Sequence, residues 1–327
     1  MSWKYGHRYP GPWCCAVSVA KKSLRIAGSL LSIGCMAWIA WDFYSSGLVR
    51  QLSVEGAFPG LGRRVVFAVL IYALAVFVLG LAWSFLQRVF VEKADDKLTV
   101  ATYLVTQAYK YLPGGVFQYL GRHAALRKLG MSHGSLVLCA SAEAACLVAV
   151  AVGASASFAD HFSVHITPLV LRIAVVACVC VGLAGVAWLR CRVQRVKRHL
   201  PRFSPGWLIG AIGLYGVFFL LMALTLKMVV PPVLSEQLSL PLWAAVAAAS
   251  WVAGFIVVGA PAGLGVRETV FIALLASIAT RPSILLMAAS FRVATFGGDV
   301  LAWGMGLPCR YYLMRTSRST ARITPDP

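Results

Sequence analysis

Long apolar stretches alternate with short polar ones along almost the whole chain. Six of them reach the roughly 20 residues that a membrane-spanning helix needs; they cover residues 26–44, 65–87, 134–157, 168–189, 207–229 and 282–307. Two further apolar regions, 98–129 and 241–280, are interrupted by the sequences YLPGG at 111–115 and GAPAGLG at 259–265. Each is predicted to form two short helices that enter and leave the membrane on one side, a re-entrant hairpin. The pattern predicts an all-α polytopic membrane protein with about six full transmembrane helices and two re-entrant hairpins.

The order of these elements occurs twice. Residues 26–157 contain two spans, the hairpin 98–129 and a third span, and residues 158–308 repeat this order with the hairpin 241–280. Because the first half crosses the membrane an odd number of times, the second half begins on the opposite side. This predicts an inverted repeat, an arrangement that places a binding site near the bilayer midplane in transporters; chance alternation of similar spans is the alternative. Residues 1–25 are expected to be a cytosolic, interfacial segment and residues 309–327 a basic cytosolic tail.

Composition narrows the possible classes of protein further. The chain is 60% hydrophobic and 13% charged, whereas soluble domains carry about 25% charged residues. A soluble enzyme, a disordered protein and a disulfide-rich secreted domain are therefore excluded. The 9 cysteines contain no CxxC pair, so we expect reduced cysteines that act as small hydrophobic residues, no metal site and no cofactor. Since no catalytic motif is present either, we do not expect an enzyme.

The charge of the chain is strongly positive, with 30 Lys and Arg against 11 acidic residues. Most of these bases lie between apolar spans, so the positive-inside rule explains them and no nucleic-acid partner is expected. With the N-terminus in the cytosol, the outside holds only a few bases, namely Arg50, Arg63, Arg64, Arg172 and Arg281. This asymmetry predicts that both termini are cytosolic.

Several charged residues fall at membrane depth, where each costs about 2.5–3.5 kcal/mol or more on insertion. They are Lys110, Arg122, Glu143, Lys227, Arg267, Glu268, Arg292 and Asp299. Glu143 lies about 14 Å and Arg292 about 15 Å into their spans at 1.5 Å per residue. Lys227 is near the end of its span and is expected to extend to the interface. For Glu143, an ion pair with Lys110 or Arg122 and a direct role in transport both remain open.

The two breaks supply candidate anion-binding groups. New helices are predicted to begin near Val116 and Val266, and a helix N-terminus offers free N–H donors to an anion. The candidate head-group-binding residues are Lys110, Gly114, Gly115, Arg122, Gly263, Gly265, Arg267 and Arg292, with Glu143, Glu268 and Asp299 as charge-pairing residues. Bases outnumber acids in this set, so the expected ligand is an anion. Phosphate is favoured because Arg offers forked donors to its oxygens; carboxylate and chloride remain alternatives.

Both breaks resemble a known family. The sequence KYLPGGVFQYLGRHAALRKLGMS at 110–132, followed by a span with Glu143, resembles the first signature of the lysylphosphatidylglycerol synthase transmembrane-region family. GAPAGLGVRETVFIALL at 259–275, followed by Arg292, resembles its second, P-x-G-x-G-[VI]-R-E, although Ala262 stands where many relatives have Gly. The resemblance covers residues 25–310 and implies a lipid-translocating fold with two re-entrant hairpins. It carries a role to Pro113, Gly114, Arg122, Glu143, Pro261, Gly263, Gly265, Arg267, Glu268 and Arg292.

These observations predict a flippase that moves an anionic, phosphate-bearing lipid or a polyprenyl-phosphate-linked carrier across the bacterial inner membrane. The soluble synthase domain of the best-known members has no counterpart in this sequence, so synthase activity is not expected. One alternative is a membrane scaffold subunit of an envelope-glycan or lipid-modifying pathway, acting through the basic loop 190–202. Another is a membrane-embedded lipid-modifying enzyme. The expected partners are the lipid substrate and the bilayer, with further copies of the chain or envelope-glycan enzymes as additional partners.

Overall fold

The computed structural model describes residues 60–91, 95–111, 116–157, 204–257, 263 and 265–323. Every element in these ranges is helical, and no strand occurs among them. In chain order they are α1 (Leu61–Phe90), α2 (Asp96–Gln107), a 3-10 turn (Ala108–Tyr111), α3 (Phe117–Arg127), α4 (His133–Ser157), α5 (Pro205–Val229), the short α6 (Pro232–Ser235), α7 (Leu240–Ile256), α8 (Val266–Leu275) and α9 (Arg281–Ile323).

Four of the described helices, α1, α4, α5 and α9, are long and apolar enough to cross a membrane. They contain the predicted spans 65–87, 134–157, 207–229 and 282–307. Each of these four spans is therefore confirmed as a long apolar helix. The predicted spans 26–44 and 168–189 lie outside the described residues. The same holds for the segment 1–25 and the basic loop 190–202.

Each interrupted region forms two helices, as predicted. The region 98–129 becomes α2 and α3, and the region 241–280 becomes α7 and α8. The second helix of each pair begins at Phe117 and Val266, within one residue of the positions predicted from the Pro/Gly breaks. The turn residues 112–115, 258–262 and 264 lie outside the described part of the chain. Whether these helix pairs turn back inside the bilayer stays a prediction.

Local sequence explains several helix ends. The Asp95 side chain accepts a hydrogen bond from the Leu98 N–H at 3.2 Å and so caps α2. Pro205 stands at the start of α5, where its missing N–H costs nothing. Gly265 precedes α8 with φ +83°, a backbone conformation that favours glycine. The backbone at the predicted break before α8 therefore has a conformation that favours the glycine found there.

The helices α1 and α5, one from each predicted repeat, pack antiparallel. Near the end of α1, Phe85 lies edge-to-face on Trp207 with ring centroids 5.0 Å apart, at the start of α5. At the other end, Arg64 donates a hydrogen bond to the Val230 carbonyl, just past α5, at 3.3 Å. Gly210 makes this packing possible, because a Cβ there would come within 2.8 Å of the Phe85 ring.

Packing between the two halves occurs in matched pairs. Helix α9 packs on α2, and correspondingly α4 packs on α7. In the first pair Gly306 lies against the Ala101 carbonyl, and in the second the Ser155 hydroxyl lies 3.5 Å from the Ala245 carbonyl. In both, a residue in the second half of a long helix meets one in the first half of a short helix from the other repeat.

The last helix differs from the expectation in length. Its predicted span ended at residue 307, followed by a tail over 309–327, yet α9 continues as one helix to Ile323 and includes Pro308. Proline removes one hydrogen bond and crowds the carbonyl four residues earlier, which here belongs to Gly304. The basic tail is therefore a helical extension of the last span as far as Ile323; residues 324–327 lie outside the described ranges.

The outer faces of the long helices are apolar. On α1, Leu70, Leu74 and Phe77 are exposed, and on α9 Phe296 and Val300 are exposed, at the three- and four-residue spacing of a helix face. Exposed apolar stripes of this kind suit contact with lipid tails. Together with the length of the four helices, they indicate an integral membrane protein with several crossings.

Candidate functional site

A cavity of about 240 Å³ lies between the two interrupted regions. Lys110, Val116 and Arg122 line it from the first region, and Gly254, Gly263 and Arg267 line it from the second. The remaining walls come from α1, α4 and α5, mostly as aromatic and apolar side chains. Both helix pairs thus contribute to one chamber, and three bases face it.

Lys110 forms the first ion pair of the site. Its Nζ lies 2.6 Å from Asp299 Oδ2 and 2.8 Å from Oδ1, and the Tyr111 hydroxyl donates to Oδ2 at 2.5 Å. The Tyr72 hydroxyl lies 3.4 Å from the same Nζ. Because Lys110 belongs to the 3-10 turn and Asp299 to α9, this cluster joins the two halves of the chain.

Arg122 forms the second pair, with Glu143. Its Nη1 donates to Glu143 Oε2 at 2.7 Å, and the Tyr103 hydroxyl donates to Oε1 at 2.8 Å. The guanidinium lies 3.7 Å from the Tyr103 ring centroid and 4.5 Å from that of Trp83. Arg122 is only 2% exposed, so it does not reach the interface. Of the two partners considered for Glu143, the structure selects Arg122.

Glu268 and Arg292 form the third pair. Arg292 Nε–H donates to Glu268 Oε1, and its Nη2 donates to the Gly263 carbonyl at 3.2 Å. The Gly265 N–H donates to Glu268 Oε2 at 2.8 Å. The first free N–H of α8, expected to meet a ligand, is therefore occupied by a carboxylate of the chain itself. Arg292 lines a smaller cavity of about 20 Å³ rather than the large one.

Arg267 differs from the other bases. It lines both cavities, and no described acidic side chain forms an ion pair with it. Its Nε is buried without a hydrogen-bond partner, and its guanidinium lies 5.9 Å from the Trp251 ring centroid. The side chain passes between two glycines: a Cβ on Gly254 would lie 2.5 Å from its Cγ, and one on Gly263 would lie 2.8 Å from its Nε.

The ion pairs show which residues carry the surplus positive charge at membrane depth that the sequence contains. Pairing Lys110, Arg122 and Arg292 with Asp299, Glu143 and Glu268 leaves Lys227 and Arg267 over. Lys227 is half-buried near the end of α5, as predicted, and does not line the cavity. Arg267 alone therefore gives the cavity an uncompensated positive charge among the residues described.

Of the predicted head-group-binding residues, Lys110, Arg122, Gly263 and Arg267 line this chamber, and their binding role stays a prediction. Gly265 and Arg292 support the second helix pair next to it, and Gly114 and Gly115 lie outside the described residues. The aromatic lining was missed: Tyr72, Tyr103, Tyr119, Trp251 and Phe255. Thr99, Thr102 and Thr106, spaced along one face of the apolar α2 and all buried, were a signal that this helix faces the interior.

No model of a known protein family matches the chain, and no curated protein matches its sequence. The resemblance given by the two break motifs therefore remains a prediction that rests on those motifs alone.

Proposed function

We propose that this protein is a flippase that moves an anionic, phosphate-bearing lipid, or a polyprenyl-phosphate-linked carrier, across the bacterial inner membrane. The observation that carries the proposal is Arg267, a base that has no ion-pair partner among the described residues and faces a chamber between two interrupted helix pairs. A buried charge without a partner is costly, and a ligand of opposite charge would remove that cost. Polar chambers between broken helices are where transporters hold their substrates.

The arrangement of the halves supports alternating access. We take residues 26–157 and 158–308 as an inverted repeat with two re-entrant hairpins, because α1 and α5 run antiparallel and the contact of α9 with α2 has its counterpart in that of α4 with α7. The ion pairs within the halves are also equivalent with their signs exchanged: the base is on α3 and the acid on α4, whereas the acid is on α8 and the base on α9.

In the proposed mechanism, the head group enters the chamber while the lipid tails stay in the bilayer. Arg267 binds the anion from the second interrupted region, and Lys110 and Arg122, which line the chamber from the first, orient it. Glu143, Glu268 and Asp299 hold the other bases in place. Rocking of one repeat against the other would then expose the chamber to each leaflet in turn.

The test is translocation by the purified protein in vesicles that contain a fluorescent phosphatidylglycerol. Arg267→Gln should lower the translocation rate about tenfold or more, which corresponds to the loss of one charge-assisted hydrogen bond. Lys227→Gln is the matched control, since it removes the other unpaired base but one outside the chamber, and its rate should equal that of the wild type. Equal rates in all three proteins would contradict the proposal.

Arg292→Ala is a less informative variant. It is also expected to stop translocation, but it would leave Glu268 buried without its partner and would free the Gly263 carbonyl. A loss of transport would then follow from damage to the second helix pair as well as from a lost binding site. Arg267→Gln avoids this ambiguity because Arg267 forms no ion pair with any described acid, so its replacement leaves no acid without a partner.

A further inference from the structure

The interior of the site has a definite charge balance. Three ion pairs are neutral in themselves, and Arg267 adds one positive charge to the chamber. A head group with one negative charge, such as a phosphodiester, would bring the chamber to neutrality. A head group with two, such as a phosphomonoester, would leave one negative charge over, which is unfavourable in a buried site.

The Lys110–Asp299 ion pair is placed to compensate for this excess negative charge. Lys110 lines the chamber, whereas Asp299 does not, so the lysine stands between the chamber and the carboxylate. The Lys110 side chain is 14% exposed and that of Asp299 only 1%. Lys110 also belongs to a short 3-10 turn between the end of α2 and the break.

The groups that face Asp299 come from several packed elements. Lys110 and Tyr111 face it from the 3-10 turn, and Tyr72 contacts Lys110 from α1. Arg267 of α8 acts electrostatically on the Tyr72 hydroxyl. The remaining bases nearby, Arg122 and Arg292, are bound to their own acids. Lys110 is therefore the group whose departure would leave Asp299 without a cation.

We infer that the Lys110–Asp299 pair adjusts the charge of the chamber to its cargo, so that Asp299 takes up one proton when a doubly charged head group binds and none when a singly charged one binds. This rests on the proposed function. Lys110 turns from Asp299 to the second negative charge, and a proton from the water that fills the open chamber bonds to the freed Asp299 carboxylate. The added charges, two negative on the cargo and one positive on the proton, cancel Arg267. Protonated Asp299 keeps its hydrogen bond with Tyr111.

The experiment measures proton uptake on binding. Full-length protein in lipid nanodiscs is titrated with dioctanoyl phosphatidic acid, a phosphomonoester, and with dioctanoyl phosphatidylglycerol, a phosphodiester. The pH is kept high enough that the phosphomonoester carries two negative charges, and calorimetry in two buffers with different protonation enthalpies gives the protons taken up. We expect one proton per bound phosphatidic acid and none per phosphatidylglycerol.

Three variants complete the test. Asp299→Asn should bind phosphatidic acid with no proton uptake. If that variant does not fold, Lys110→Gln/Asp299→Asn, which also removes the base that meets the second charge, should bind phosphatidic acid more weakly than phosphatidylglycerol and likewise without proton uptake. Asp96→Asn is the matched control, because Asp96 pairs with Arg88 at the half-exposed end of α1; it should keep the wild-type uptake. Equal proton uptake with both lipids, or persistent uptake in Asp299→Asn, would overturn this inference alone. If neither lipid binds, the proposed function fails as well.

Discussion

Arg267 is held in position by two glycines rather than by an acid. Its side chain runs through the space that a Cβ on Gly254 or Gly263 would occupy. Gly263 also has φ +67°, so a larger residue there would be strained for a second reason. Gly254 lies within α7, where its backbone needs no special conformation. It therefore offers a way to move Arg267 without changing any charge.

Gly254→Ala is expected to lower the affinity for dioctanoyl phosphatidylglycerol and the translocation rate, although alanine favours a helix by about 1 kcal/mol over glycine. The new methyl group would lie 2.5 Å from Arg267 Cγ, so the Arg267 side chain must move out of the space between Gly254 and Gly263. Calorimetry in nanodiscs and the vesicle assay measure both effects. Gly216→Ala on α5 is the control, because nothing lies within 4 Å of that position. Unchanged affinity in Gly254→Ala would show that the position of Arg267 does not matter for binding.

At the scale of single residues, the sequence identified the buried charges but, apart from Arg122 as one of two candidates for Glu143, not their partners. The cost of charge in a membrane singled out Lys110, Arg122 and Arg267 without any structure. The pairing of Lys110 with Asp299 could not be predicted, because these residues lie far apart in the chain and come together only through the packing of α9 beside the 3-10 turn. The positions of Gly254 and Gly263 on either side of Arg267 also depend on tertiary packing.

At the scale of elements, the connection between α3 and α4 holds a pair of histidines. His123 Nε2 lies 2.8 Å from His133 Nδ1, and their rings stack with centroids 5.0 Å apart. This hydrogen bond requires at least one neutral ring. Partial burial, followed by the charges of His133 and Arg127, lowers the pKa of His123. The pair therefore fastens the second helix of the first interrupted region to α4 as long as it is not doubly protonated.

We expect the stability of the protein to fall as the pH drops through the ordinary histidine pKa of about 6.5. The reason is that the unfolded chain, in which His123 regains that pKa, binds more protons in this range than the folded chain. The midpoint of thermal unfolding in detergent, followed from neutral to mildly acidic pH, measures the effect. His123→Gln should show a shallower pH dependence than the wild type. Parallel curves for the two proteins would contradict a role for this pair.

Helix boundaries were predictable where local chemistry determines them. The Pro/Gly breaks gave the beginnings of α3 and α8 to within a residue, since a helix needs a defined start wherever it has been interrupted. The end of α9 was predicted too early because the span was bounded by its apolar stretch, which ends at residue 307, whereas the helix continues through Pro308. Polar character after a span indicates where the membrane ends, but a helix stabilised by the preceding turns can continue into water.

At the scale of the whole molecule, the central question is whether the two halves have opposite orientations. The antiparallel packing of α1 and α5 and the matched contacts of α9 with α2 and α4 with α7 support this. The charge asymmetry of the connecting segments gives the same orientation. The link between α3 and α4 would then face the cytosol, and the link between α5 and α7 would face the outside.

Two single-cysteine variants in a cysteine-free background test this orientation directly. Lys128 and Glu236 are exposed and lie in these two links, each of which adjoins the interrupted region of one half. Lys128→Cys should react with a membrane-impermeant maleimide only when the cytosolic side is opened, and Glu236→Cys should react in intact cells, because the two hairpins of an inverted repeat open to opposite sides. A denatured sample of each variant controls for reactivity. Labelling of both residues from the same side would rule out the inverted repeat and, with it, the proposal that the chamber opens alternately to the two leaflets.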